Sequence, residues 1–315
     1  MRPSSPPLAS PADAFETAGG VAVAADPARA WVADYKELLK PGISLFLTLT
    51  AAAGYVLAAG RTLDGLTLAG LLAGTALAAG GAGALNHWME RGWDARMERT
   101  RGRPLPSGRV RPLAAVLYGL ALVGGGLLVL ATTTNGLTAA LAALTVVLYL
   151  AAYTPLKRRT PHNTLVGAVP GALPILGGVT AARGELDALG AALFALLFLW
   201  QLPHFYSLAW LYRADYARGG FRMLPSAEPS GRRATAALTL AAALVLLVVG
   251  MLPAALGAAG WVYLVGMAAL GTAFTLPAFS FFAEPTDRRA RRLLLASIVY
   301  VPAFLALVLA DYALR

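Results

Sequence analysis

Gly65 to Asp94 reads GLTLAGLLAGTALAAGGAGALNHWMERGWD, and this stretch decides the architecture. From 65 to 88 it holds no Asp, Glu, Lys or Arg, and about 20 mainly apolar residues in a helix cross the hydrocarbon core of a bilayer. The small-residue run from Ala76 to Ala84 lets neighbouring helices approach closely within a membrane. Polar groups enter only at the far end. If the helix runs on past 88, Asn86, Glu90 and Asp94 recur every four residues. Each step drifts only about 40° at 3.6 residues per turn, so the three share one face at the mouth of the span.

Segments of the same kind lie near 42–60, 113–132, 136–155, 164–182, 186–209, 234–255, 259–282 and 293–310. The chain therefore reads as an all-α integral membrane protein with about nine transmembrane helices in a bundle. Composition agrees, with 58% hydrophobic and 13% charged residues, where a soluble domain carries roughly 25% charged. Cysteine is absent, which excludes disulfide frameworks, zinc-thiolate sites and thiol catalysis. Residues 1–33 are rich in Ala, Pro and Ser and lack the charged-then-apolar order of a signal peptide. They read as a disordered N-terminal extension, leaving 34–315 as the membrane-embedded domain.

The net charge of +10 raises nucleic acid as a partner, and the positions of the charges answer it. Assigned alternately to the two sides of nine spans, the loops and termini on one side carry 23 Lys and Arg and those on the other carry 3. A basic excess of this kind marks the cytoplasmic side. It puts the N-terminus inside and the C-terminus outside, in a cell membrane. The positive charge is a topology signal, and nucleic acid is not an expected partner.

None of the sixteen carboxylates falls in the middle of a proposed span. Like charges at i,i+4 repel by a few tenths of a kcal/mol, and a divalent cation turns that repulsion into attraction. Hard oxygen ligands with room for water and phosphate suit Mg²⁺. The competing reading of Asn86, Glu90 and Asp94 is a solvated helix end, neutralised by Arg91, Arg96 and Arg99. Arg99, Arg101 and Arg103 follow directly. Carboxylates beside guanidinium groups suit a diphosphate, whose charge must be neutralised and whose oxygens bidentate donors hold.

Two more loops on the same side carry polar signals. After the sixth helix, Asp215 stands among Arg213, Arg218 and Arg222, and Arg222 to Ser226 echoes Arg103 to Ser107. Asp215 reads either as a second metal ligand or as the ion-pair partner of Arg213 or Arg218. Between the fourth and fifth helices, Tyr153 and Lys157 share one helical face, where the ring can contact a cation and the ammonium a phosphate. The run Lys157-Arg158-Arg159 reads equally as a positive-inside anchor.

On these loops the chain resembles the UbiA superfamily of intramembrane prenyltransferases, and within it the haem branch, the protoheme IX farnesyltransferases. Asn86, Glu90 and Asp94, Tyr153 with Lys157, and Asp215 look like the superfamily's marks. The haem branch is suggested by Met97 to Thr100, Leu156 to Pro161, Phe198 to Gln201 with Pro203-His204-Phe205, and Asp215-Tyr216 leading to Met223-Leu224-Pro225. Lys40-Pro41 and Ala296 to Tyr300 look like it too. Glu90 stands where many members have Asp, Gly92 where the haem branch shows another Asp, Gly42 for an Arg and His162 for a Gln.

The resemblance implies a UbiA-type fold that transfers a farnesyl group from farnesyl diphosphate to a vinyl group of haem B, giving haem O. It implies Mg²⁺ on Glu90, Asp94 and Asp215 with Asn86 assisting, and a diphosphate clamp of Arg99, Arg103, Lys157, Arg158 and Arg213. Tyr153 shields the allylic cation in this scheme, the tail lies against the lipid bilayer, and haem O passes to a recipient the sequence does not name. His204 is either a haem contact, as an axial iron ligand, or a hydrogen-bonded histidine that shapes the site. A quinone-precursor prenyltransferase and a transporter of anionic lipid or metabolite, the latter suggested by Gly167 to Gly178 with Pro170 and Pro174, are the rival readings.

Overall fold

The structure is a computed structural model that describes residues 27–227 and 230–315. Among the described residues there is no strand, and nine helices are long and apolar enough to cross a membrane. In chain order these spans are Pro41–Ala59, Gly65–Asp94, Pro112–Thr133, Gly136–Leu156, Asn163–Arg183, Ala188–Leu211, Gly231–Ala255, Trp261–Ala283 and Asp287–Leu314. Most of the expected N-terminal extension, 1–26, lies outside the described residues. From Pro27 the chain is helical, in a short helix Pro27–Leu38 that precedes the first span.

Side-chain caps set several of the boundaries. Asp64, Asn135 and Asp187 each accept the backbone N–H three residues on, at 2.8, 2.9 and 2.7 Å, satisfying donors that a helix start leaves unpaired. The ninth span starts at Asp287 rather than near 293. Thr286 caps it, and arginines are good helix formers, so the basic stretch 288–292 joins the helix instead of a loop. The second span does run on to Asp94. The seventh breaks after Val249, where Pro253 follows within a few residues.

Span one packs on spans two, five and nine, and span six on five, seven and nine; smaller contacts join span two to spans four and five and span one to span six, and most of the rest join sequence neighbours. The largest apolar core joins spans one and five to nine, with Leu193, Leu196, Leu197, Tyr263, Phe281 and Phe304 fully enclosed. Leu113, Leu117, Leu120 and Leu128 on span three are exposed, as befits residues facing hydrocarbon. A cavity of about 900 Å³ is walled mainly by spans one, two, four, five, six and nine.

Candidate active site

The second span brings the carboxylates to this cavity. Gly83, His87, Glu90 and Asp94 line it, each three or four residues from the next and so on one helical face. Asn86 is displaced from that face by the drift that accumulates over two four-residue steps. It is completely buried, accepts a hydrogen bond from Lys40 Nζ, and donates from Nδ2 to Thr154 Oγ1 at 2.9 Å. The structure thus places Asn86 behind the wall, holding other groups, while Glu90 and Asp94 meet the cavity.

Both carboxylates are nearly inaccessible, Glu90 at 4% and Asp94 at 1% exposure, so each needs a partner. Lys157 Nζ donates to Glu90 Oε1 at 2.7 Å, and Arg103 Nη1 donates to Asp94 Oδ2 at 2.9 Å. Burial pulls the Lys157 ammonium down, but the charge and hydrogen bond of Glu90, together with the Tyr153 and Tyr149 hydroxyls, outweigh it and hold Lys157 above its ordinary range. The solvated helix end neutralised by Arg91, Arg96 and Arg99 does not form. Arg91 instead donates to the Trp88 carbonyl and lies over the Trp88 ring.

Tyr153 and Lys157 come together as their spacing suggests, with Nζ 4.6 Å from the ring centroid. The reason is local. Residues Leu148–Tyr153 form a π turn, just ahead of Pro155, which has no N–H to give the preceding turn and would crowd its carbonyl in a regular α-helix. The wider turn stacks Tyr149 on Tyr153 at 5.8 Å, and both rings line the cavity. Gly167 on span five faces them, since a Cβ there would stand 2.5 Å from the Tyr153 ring.

Asp215 is not among the residues lining the cavity. Its Oδ1 accepts the Glu98 backbone N–H at 3.0 Å and Arg218 Nη2 at 2.8 Å. Burial raises its carboxyl, but these hydrogen bonds outweigh burial and hold it below the usual range. Among the described residues no three His, Asp or Glu gather closely enough to hold a metal. In this structure Asp215 ties the loop after span six to the loop after span two. Arg222 N donates to the Lys157 carbonyl at 2.7 Å and Asn163 Nδ2 to the Arg222 carbonyl at 2.9 Å, so the third polar loop is bound in as well.

The five cations expected to clamp diphosphate divide. Arg99, Arg103 and Lys157 line the cavity, with the Arg99 guanidinium 5.3 Å from the Tyr212 ring. Arg158 is exposed and lies over the Trp93 ring at 4.5 Å. Arg213 is drawn to span nine, where Nη1 donates to Asp287 Oδ1 at 2.9 Å. Loop spacing carries no information about such choices.

His204 lines the cavity on another wall, its Nδ1 2.9 Å from Ser297 Oγ and its ring stacked on Trp200. Lys40, His87 and Tyr149 also line the cavity, although none of them was among the candidate site residues. Lys40 has a left-handed backbone, φ 49°, uncommon for a side chain other than glycine. The conformation accompanies contacts from Nζ to Asn86 and to the Tyr149 hydroxyl. Burial pulls the Lys40 ammonium down to about 7, against the attraction of Glu90. The Lys-Pro step ahead of a span was its one sequence signal. His87 has an enclosed Nδ1 with no hydrogen-bond partner, and its place three residues before Glu90 was the available clue.

Residues 47–308 match the model of the UbiA prenyltransferase family. A protoheme IX farnesyltransferase of Salinibacter ruber (strain DSM 13855 / M31) is 52% identical over 281 residues, covering 89% of this chain and 99% of that protein. Another, of Solibacter usitatus (strain Ellin6076), is 43% identical over 287 residues, covering 88% of this chain and 98% of its own. The solved structure of a UbiA homologue from Archaeoglobus fulgidus bound to DMAPP and Mg²⁺ shares the fold at a TM-score of 0.69 and 16% identity, over 90% of this chain and 100% of that one. With a family match that runs from the first span into the ninth and relatives alike over nearly their whole length, this chain belongs to the UbiA prenyltransferase family.

Proposed function

We propose that the chain transfers the farnesyl group of farnesyl diphosphate to a vinyl group of haem B, adding water, to give haem O and diphosphate. One observation carries the reading: the buried pairs Glu90–Lys157 and Asp94–Arg103 stand on the wall of a large cavity that is otherwise mostly apolar. A substrate with a multiply charged anionic head and a long hydrocarbon tail matches both parts. The relatives named protoheme IX farnesyltransferase support haem as the acceptor.

In the reaction the vinyl π pair forms the new carbon–carbon bond as the bond from farnesyl to diphosphate oxygen breaks. The cation left beside the porphyrin ring takes the oxygen of water and releases a proton. Arg99, Arg103 and Lys157 hold the diphosphate and stabilise the charge it gains on leaving. The donors at Glu90 and Asp94 are all oxygen and lie on successive turns, which fits a hard cation next to phosphate. Glu90 and Asp94 would hold Mg²⁺ there, and the ion would supply charge neutralisation for the departing diphosphate. Asn86 fixes Lys40 and the Thr154 turn, and Asp215 holds the Glu98–Arg99 backbone, so both act by positioning. Tyr149 and Tyr153 present ring faces that favour an allylic cation and keep water from it.

The test is turnover in detergent with labelled farnesyl diphosphate and a panel of acceptors. Haem B should gain the mass of a farnesyl group plus water, and 4-hydroxybenzoate should stay unmodified. Conversion of 4-hydroxybenzoate but not of haem would move the chain to the quinone branch.

Orientation in a cell membrane follows from the basic loops. Reporters fused after Gly108, Arg159 and Gly231 are expected in the cytoplasm, and one fused after Leu314 outside. A cytoplasmic C-terminus would contradict an odd number of crossings.

A further inference from the structure

We propose that Nε2 of His204 is a ligand to the haem iron, and that Ser297 is the positioning residue that leaves this nitrogen bare. The inference rests on haem being the acceptor. Ser297, on span nine, is completely buried. Its Oγ lies 2.6 Å from the Leu294 carbonyl oxygen and 2.9 Å from Nδ1 of His204. A carbonyl oxygen only accepts, so two oxygens this close require a proton between them, and a serine hydroxyl has one proton. That proton points to Leu294. Towards His204 the serine oxygen can only accept, so Nδ1 carries the imidazole hydrogen.

In a neutral imidazole the other nitrogen is then a bare lone pair, the form that binds metals. Nδ1 makes the one hydrogen bond of the His204 ring among the described residues, and His204 lines the cavity. The ring is also held in orientation. It stacks on Trp200 at 5.3 Å and 20°, Trp200 stacks on Phe46 at 5.1 Å, and Trp200 Nε1 donates to the Ser297 carbonyl at 3.0 Å. Ser297 thus fixes one ring by its side chain and the next by its backbone. A histidine whose Nδ1–H is hydrogen-bonded while Nε2 faces open space is how proteins orient an imidazole for a metal, and a single histidine is an established haem ligand. Ile298, Val301, Pro302 and Leu305 of span nine add an apolar wall to the same cavity, suited to a flat macrocycle. Iron held at the centre of the ring would anchor it while a vinyl group at its edge reacts.

Ferric haem and metal-free protoporphyrin IX separate ligation from packing, because only haem has iron to bind. Both would be titrated into the full chain in detergent, as wild type, His204→Ala, Ser297→Ala and Ser297→Thr, with melting temperatures recorded alongside. His204→Ala is expected to weaken haem and shift its Soret band, leaving protoporphyrin affinity as in the wild type. Ser297→Ala should weaken haem by about tenfold or more, the usual effect of losing a group that orients a metal ligand, and Ser297→Thr should restore it. Equal losses for the two porphyrins in His204→Ala, or an unchanged Soret band, would overturn the iron ligation. Ser297→Ala behaving as wild type would remove the serine from the scheme. A wild type that bound neither porphyrin would overturn the acceptor reading and this inference together, whereas the other outcomes leave that reading standing.

Discussion

Glu90→Gln and Asp94→Asn are each expected to lower farnesyl transfer by about two to three orders of magnitude, the usual loss when one preorganised electrostatic group is removed from a reacting centre. The charge matters because, in the function proposed above, each carboxylate is both a hard oxygen ligand and the counter-ion of a cation that must meet diphosphate. Both variants should still fold. The amide in each retains an oxygen that can accept from Lys157 or Arg103, at the places now occupied at 2.7 and 2.9 Å. Glu90→Ala removes the acceptor altogether and leaves a largely buried ammonium unpaired, a change that costs about 3–5 kcal/mol in buried pairs. Melting temperature and turnover, measured together, separate the two effects. Near-normal turnover of both amide variants at saturating Mg²⁺ would remove this pair from the reaction.

Gly178→Leu should prevent the bundle from closing, and Gly178→Ala should destabilise it by about 1–3 kcal/mol, the range for an added methyl group in a tight core. Spans one and five cross with their backbones almost touching. A Cβ at Gly178 would stand 1.9 Å from the Ala51 carbonyl oxygen, and one at Gly54 would stand 2.1 Å from that of Ile175. A carbonyl in a helix cannot turn aside as a flexible side chain does, so the spans must separate. Span one begins next to Lys40 and carries Phe46 to the cavity, and its displacement should lower activity along with stability. Gly177 supplies the control, since a Cβ there meets nothing within 4 Å. If Gly178→Leu melted with the wild type, the crossing would lie elsewhere.

The number and order of the spans were legible because the thickness of hydrocarbon dictates the length of an apolar helix, whatever its neighbours are. The turn-by-turn recurrence of Glu90 and Asp94 was legible for a similar reason, since helical period is a property of the backbone alone. Pro155 and the Tyr153–Lys157 spacing likewise act within a turn or two of themselves. Where two basic residues stood close together in a loop, the sequence offered nothing to choose between them.

Tertiary structure made those choices. Arg103 reaches Asp94 while Arg213 reaches Asp287, and Asp215 reaches the backbone of Glu98 across 117 residues of chain. Asn86 shares a four-residue rhythm with Glu90 and Asp94, yet about 40° of drift per step turns it towards Lys40 and Thr154. The state of His204 depends on a hydroxyl 93 residues away. Local periodicity and transfer free energy depend on the residue and its nearest neighbours, so the sequence alone determines them. Partners across the bundle are decided by which helices cross and how closely, and that is settled only when small residues such as Gly54 and Gly178 bring two backbones into contact.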